Sequence, residues 1–491
     1  MQGEKFNYNI NSYNEYEIFV HNAEKHGGII GGNNMKRLRK KCFVTTGIMF
    51  GLLALILSAC ASKEKQKKPV TLTIWHVYGG QTDSPLNDMI EEFNTTVGAA
   101  EGIKLQVTVV SNTNNIHDAV LRAANDEPGA SELPDMFISY PKTILAMPDP
   151  DILVDYREYF SEEELAAYIP SFLEEGTIEG RLVSFPLAKS TEIMFIDKTL
   201  FDRFSDATGA KLEQLNTWEG LFDLSIEYYK WTDEQTPEIE GDGKTFFVHD
   251  YHFNYFQVGT ESMGESFFEN GDIAYGKKFE KAWVPYAKAA IQGGVWLNEG
   301  YATEPLRTGN AVVSVASSAS VLYYEDIVTY EDNRSENIEV IAKPVPYFTE
   351  EKKMVMQRGA GFCTVKSTPQ KEQAAATFLK WLTEPENNVR FVTQVGYMPV
   401  TEKAFDVLPK ALEELSDPKY KSLYEAFIET QAFYVFYTPP QLESYLTLET
   451  AFEEKARSEL RIANKSWKTG EKDVGTLTAE ALEHLKESMQ K

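Results

Sequence analysis

The sequence predicts an α/β fold of two lobes. Three observations carry this. Strand-like and helix-like patterns alternate from residue 70 onward, the alternation restarts near residue 182, and no internal repeat or low-complexity block interrupts it. Val70-Thr71-Leu72-Thr73-Ile74-Trp75-His76 alternates β-branched and apolar residues before a Gly79-Gly80 break, and reads as the first strand. Pro85 to Phe93 follows as a helix, with Leu86, Met89, Ile90 and Phe93 on one face. Ile103–Val110 is a second strand, Ile116–Ala124 a helix, and Asp135–Tyr140 a third strand entered through Leu133-Pro134. Such an order predicts a parallel sheet with helices on both faces.

The second round opens with strands at Leu182–Pro186 and Glu192–Ile196 and a helix at Lys198–Phe204. Asn216-Thr217 caps another helix over Trp218–Tyr229, and Phe279–Ile291 is a long amphipathic one. Ala311–Val315 and Ile338–Ile341 read as strands, Gln373–Leu382 and Glu386–Val395 as helices, and 405–488 as mostly helical.

Ahead of the fold, Lys36, Arg37, Arg39, Lys40 and Lys41 precede an apolar run that ends in Leu57-Ser58-Ala59-Cys60. A basic cluster, an apolar stretch and small residues make a secretory signal. The 16 residues from Cys42 to Leu57 include Thr45, Thr46, Gly47 and Gly51, and a membrane-spanning helix needs roughly 20 apolar residues. With its terminal cysteine the segment resembles a bacterial lipoprotein signal. The resemblance implies that Cys60 is lipidated and becomes the new N-terminus, on the extracellular face of a cell membrane. Residues 1–34 lack apolar periodicity and are read as lying upstream of the true start at Met35, with 35–59 the signal peptide and 60–69 the lipidated cysteine and its tether.

The 491 residues carry a formal charge of −26. Residues 1–59 hold seven of the 48 basic and four of the 74 acidic residues, which leaves 41 against 70, or −29, from Cys60 onward. That excess argues against nucleic acid as a partner. The exception is the tether, with Lys63, Lys65, Lys67 and Lys68. Of the three cysteines, Cys42 leaves with the signal and Cys60 is lipidated, so Cys363 stands alone without a disulfide partner and reads as a buried small hydrophobe. No metal-ligand spacing, nucleotide-binding glycine motif or hydrolase nucleophile motif is present, so neither metal nor cofactor is expected.

Leu72–His76, Leu133-Pro134-Asp135-Met136, Ser184-Phe185-Pro186-Leu187 and Phe195-Ile196-Asp197-Lys198 are followed by Gly309-Asn310-Ala311-Val312, Phe378–Thr383 and Gly396-Tyr397-Met398-Pro399-Val400. In this order the segments resemble the extracellular solute-binding proteins of ABC importers, in the branch of maltose and glycerol-3-phosphate binders. The resemblance spans most of 70–405. It implies two α/β lobes joined by crossing strands, a ligand cleft between them, no catalysis, and delivery of a small molecule to permease subunits by a monomer. On this analogy lobe 1 is 70–187 plus 313–358 and lobe 2 is 189–310 plus 362–488. Crossings are expected near Leu187–Thr191, Gly309–Val313 and Gly359–Gly361.

Ligands of open α/β sheets sit beyond the carboxyl ends of strands. This rule selects His76, Tyr78, Gln81, Asn112, Tyr140 and Lys142. The first crossing adds Ser190, Thr191 and Glu192. The resemblance adds Ser317 and Ser318, the backbone of Gly359 and Ala360, and Tyr397 before its Met-Pro. Within Tyr251-His252-Phe253-Asn254-Tyr255-Phe256, His252 and Tyr255 are expected to stack on sugar. Glycerol-phosphate binders carry an arginine shortly before a Pro-Gln pair. Phe433–Gln441 has none, which favours a neutral carbohydrate or polyol, with Lys142 and Lys189 keeping a phosphate ester open. Two rival readings remain, a surface glycoside hydrolase, which needs two carboxylates across the scissile bond, and a solute-binding fold used as a sensor.

Overall fold

The computed structural model describes residues 68–79, 84–110, 113–442 and 444–490. The signal, Cys60, Gln81 and Asn112 lie outside them. Two sheets organise the rest. The first contains β1 (Val70–His76), β2 (Ile103–Val110), β3 (Met136–Ser139), β4 (Phe185–Pro186) and β10 (Gly361–Thr364), in the order β2-β1-β3-β10-β4. β1 runs parallel to β2 and β3, whereas β10 is antiparallel to β3. The second is built around β5 (Ser190–Asp197), every residue of which is buried. One edge of β5 pairs with β7 (Val313–Ser317), which pairs in turn with β6 (Phe247–His249). The other edge takes β8 (Val340–Pro344) and then β9 (Met354–Arg358), and β9 carries β11 (Val435–Tyr437) outside it.

Local sequence explains the helices. In α1 (Pro85–Thr95) the Ser84 side chain accepts from the Asn87 N–H and Pro85 fills the first turn, while Leu86, Met89, Ile90 and Phe93 are buried. Thr217 caps α4 (Trp218–Asp233) by accepting from the Gly220 N–H, as the Asn216-Thr217 signal predicts. Between these lie α2 (Thr113–Ala124) and α3 (Lys198–Thr208), and after them α5 (His252–Ser262) and α6 (Lys277–Ile291). The C-terminal part holds α7 (Pro369–Leu382), α8 (Pro385–Val395), α9 (Glu402–Glu414), α10 (Pro418–Phe433), α11 (Tyr445–Lys468) and α12 (Val474–Met489). Cys363 is buried in β10, and burial pushes its thiol well above the usual range, the state of a packed and unreactive cysteine.

Strand pairing reassigns two segments. Residues 313–358, expected in lobe 1, hold β7, β8 and β9, all of which pair with β5 and so belong to lobe 2. The stretch from 362, expected in lobe 2, begins in β10, in the middle of the first sheet, and α7 and α8 pack there: Phe378 and Trp381 stand against Phe93 of α1. A period of two reveals a strand but not its partner, so alternation alone left both memberships open. Gly309–Val313 is likewise no crossing. It is a turn within lobe 2, where the Asn310 N–H returns to the Pro305 carbonyl before β7 begins. The third link follows α9 instead. It leads into α10, which lies along β8 and whose Tyr424 hydroxyl donates to the Val392 carbonyl of α8 at 2.5 Å.

Candidate functional site

The two crossings lie side by side. Leu187–Lys189 joins β4 to β5, and Gly359-Ala360 joins β9 to β10. Lys189 exchanges backbone hydrogen bonds with Met398, 3.1 Å from its N–H and 2.6 Å to its carbonyl. Gly359 has φ +111°, and a Cβ there would stand 3.0 Å from the Ser190 nitrogen, so only glycine fits without strain. Beneath it the buried Lys189 ammonium donates to Glu175 at 2.5 Å and to the Gly359 carbonyl at 3.3 Å. Gln357, on β9, donates to the same Glu175 oxygen at 2.6 Å. One carboxylate of lobe 1 thus ties the crossing and a strand of lobe 2 together.

Beyond this hinge, side chains of both lobes meet. Tyr140 and Lys142 come from the carboxyl end of β3, and Lys142 faces Glu449 of α11 across 3.9 Å. Tyr397 is half-buried, with the Tyr78 ring edge-on at 5.3 Å. From lobe 2, Glu192 is 4 % exposed, and Asn254 donates to its Oε1 at 2.6 Å. Burial outweighs the nearby Arg358 and that hydrogen bond, so its carboxyl is pushed up to about 7. Asp250 and Glu449 are raised by burial as well. The Arg358 guanidinium lies over the Tyr251 ring at 4.6 Å. His249 Nδ1 accepts the Tyr251 N–H at 3.1 Å, which leaves the proton on Nε2, 4.0 Å from Glu192. Burial and the neighbouring cations hold His249 well below the usual histidine range, so it is neutral. Along α11, Glu453 pairs with His252 at 3.1 Å and Arg457 at 3.2 Å.

A cavity of about 390 Å³ opens beside this cluster, lined by Asp250, Tyr251, Tyr301, Glu449, Glu453 and Arg457 among others. All of the lining residues come from lobe 2, and these rings and fixed polar groups, close to the crossings, make the region the candidate site for a polar organic solute. Residues 88–422 match the family described as bacterial extracellular solute-binding protein.

The chain belongs to the bacterial extracellular solute-binding proteins.

Solved structures agree on the fold of this solute-binding protein. A cyclic α-maltosyl-1,6-maltose binding protein from Arthrobacter globiformis aligns with TM-score 0.62 at 19 % identity, over 86 % of this chain and 99 % of its own. UgpB from Mycobacterium tuberculosis, in complex with glycerophosphocholine, aligns with TM-score 0.59 at 15 % identity, over 86 % and 98 %. Maltose-bound MalE3 of T. maritima gives 0.56 at 16 %, over 85 % and 99 %. All are two-lobed binding proteins, and their α/β architecture is the one found here.

The sequence-selected residues divide into three groups. Tyr140, Lys142, Glu192, Ser317 and Tyr397 gather at the cleft; Ser317 closes β7, where its backbone N–H serves the Asp250 carboxylate. Ser190, Thr191, Gly359 and Ala360 build the hinge: Ser190 pairs with Arg358, and the Thr191 hydroxyl donates to the Met356 carbonyl at 3.0 Å. The others among the described residues are interior. His76 is buried, with Nδ1 accepting the Tyr78 N–H and Nε2 donating to Asn87 at 2.8 Å, so it fastens β1 to α1. Tyr78 packs between Phe391 and Tyr397, and Ser318 is fully buried.

Tyr255 and His252 are corrections. Tyr255 is 1 % exposed, wedged among Trp218, Phe222 and Tyr286, and its hydroxyl donates to the Ala282 carbonyl at 2.9 Å. No face of it is available to a sugar. His252 is equally buried, against Tyr286 and Glu453. Sequence reasoning missed Asp250, Tyr251, Arg358, Glu449 and Arg457. One signal was present, since Tyr445, Glu449, Glu453 and Arg457 recur every four residues and share one face of α11.

Proposed function

We propose that this solute-binding protein is a lipid-anchored extracellular receptor that captures a carbohydrate or related polyol between its lobes and hands it to the permease of an ABC importer. One observation carries the reading: rings and charged groups from both lobes, Tyr140, Lys142 and Tyr397 facing Tyr251, Arg358 and Glu449, converge beyond a two-strand hinge. Rings pack on the C–H faces of sugars while carboxylates and amides take their hydroxyls. The saccharides named for the structural neighbours support this ligand class. The anchor rests on the signal that ends at Cys60.

A thermal-shift screen of neutral oligosaccharides, polyols and phosphate esters tests the reading, because a ligand of the native state raises the melting temperature. Calorimetry of a hit against Tyr251→Ala and Tyr397→Ala should show losses of roughly ten- to a hundred-fold in affinity. Scattering should show a smaller radius of gyration with ligand bound. Failure of every compound class to raise the melting temperature would refute the receptor reading. New reducing ends released from glycans would favour the hydrolase instead. A transport role, as against sensing, predicts permease genes beside this one.

A further inference from the structure

The cation that the C-terminal segment lacks is supplied elsewhere. Arg358 is the last residue of β9, paired with Ser190 at one crossing and followed by Gly359 at the other, so it stands at the floor of the cleft where the lobes join. Its guanidinium lies over the Tyr251 ring at 4.6 Å. Its side chain is 25 % exposed. Its Nη1 is buried and has no hydrogen-bond partner among the described residues. The Glu192 carboxylate comes no nearer than 3.9 Å, beyond hydrogen-bond reach.

Glu192, Asp250 and Glu449 attract this charge through space, but none of them hydrogen-bonds Nη1. Burial raises the proton affinity of all three acids, that of Glu192 to about 7. Lys142, on the facing lobe, is 43 % exposed and meets Glu449 only at 3.9 Å. Arg358 and Lys142 therefore stand on opposite lobes, and neither is closed by a short ion pair, unlike Arg457, which pairs with Glu453 at 3.2 Å. A neutral hydroxyl would satisfy one N–H of Arg358. A carboxylate would accept two in parallel and neutralise the charge.

We propose that the solute is an acidic saccharide whose carboxylate is gripped by Arg358, with Lys142 closing on it from the other lobe. This rests on the receptor reading and narrows it, because the ring stacking and hydroxyl contacts serve the sugar while Arg358 selects the charge.

The test offers the purified protein one mixture by equilibrium dialysis, with mass spectrometry of what is retained. The mixture contains oligosaccharides released from pectin, alginate, a glycosaminoglycan, starch and chitosan, plus glycerol 3-phosphate. Retention of uronate-containing species is expected. Methyl esterification of their carboxylates should weaken binding roughly ten- to a hundred-fold, and added salt should weaken it further. Arg358→Gln should lose the same factor with an unchanged melting temperature without ligand. Arg358→Lys, which keeps the charge but not the planar fork, should fall between them. Retention of a neutral or amino saccharide or of glycerol 3-phosphate overturns the inference and leaves the receptor reading standing. So does equal binding of acid and ester, or full affinity in Arg358→Gln. Retention of nothing overturns both.

Discussion

Replacing Glu175 by alanine tests whether the hinge is held by a buried charge. Lys189 is 3 % exposed and Glu175 9 %, with 2.5 Å between the ammonium and carboxylate. The substitution leaves the Lys189 charge without a counter-ion and takes an acceptor from the Gln357 amide, 2.6 Å away. Breaking a buried pair by removing one partner costs about 3–5 kcal/mol, because the remaining charge stays out of water. The stranded amide adds about 1 kcal/mol, reduced because the Ser171 carbonyl still accepts from it at 3.1 Å. Guanidinium unfolding followed by tryptophan fluorescence should therefore show a loss of about 3 kcal/mol or more for Glu175→Ala. Glu175→Gln, which keeps a carbonyl acceptor, should lose less, and Glu175→Leu combined with Lys189→Met should recover most of the loss. A loss under about 1 kcal/mol for Glu175→Ala would mean that Lys189 escapes to water, and the account of the hinge would be wrong.

Four further outcomes are expected. Gly359→Ala forces a side chain into φ +111° and against the Ser190 nitrogen, and should cost about 1–3 kcal/mol and change the affinity for any identified ligand, read by unfolding and calorimetry. Tyr255→Phe removes the hydrogen bond to the Ala282 carbonyl and should cost about 1 kcal/mol with ligand affinity unchanged, whereas Tyr397→Ala should lower affinity. Glu192 has its folded proton affinity raised from 4.5 to about 7, so the native state holds the extra proton between those values and stability falls as pH rises through that window, by up to roughly 1.4 kcal/mol per unit. Glu192→Gln should flatten the fall in a pH series of unfolding curves. Cys60→Ala should abolish lipid labelling and release the protein from membranes; unchanged retention would remove the anchor from the proposal.

Much of the architecture was legible because strands and helices announce themselves locally. The run from Val70 to His76 alternates, Ser84-Pro85 and Thr217 mark helix starts, and each became the element its pattern implied. What local pattern withholds is partnership. The alternation at 313–317 is equally compatible with either sheet, and only the antiparallel ladder to β5 decides it. The site suffered from the same limit. Arg358 ends Met354-Val355-Met356-Gln357-Arg358, a strand whose first four residues are all buried, so no alternation announced it and its cation went unnoticed. Tyr255 misled in the opposite sense. It lies on α5, a helix with every residue but Glu261 buried, so its hydroxyl and the neighbouring histidine looked like the polar tips of exposed rings. Glu192 was found because it sits one residue past the crossing expected at Leu187–Thr191.

The interleaving of the two sheets has a consequence for biosynthesis. β10 stands between β3 and β4, yet it is made only when synthesis reaches residue 361. Until then the first lobe has a gap in the middle of its sheet, and β3 and β4 present unpaired edges. The second lobe, begun at β5, waits longer still, for β11 and for the α11–α12 pair that packs on α6. Neither lobe is a stretch of chain that can finish folding while the rest is being made. Contacts of such long sequence separation form slowly. For the exported receptor proposed above, that delay would keep the chain threadable until it has passed the export machinery, with both lobes completed together on the far side.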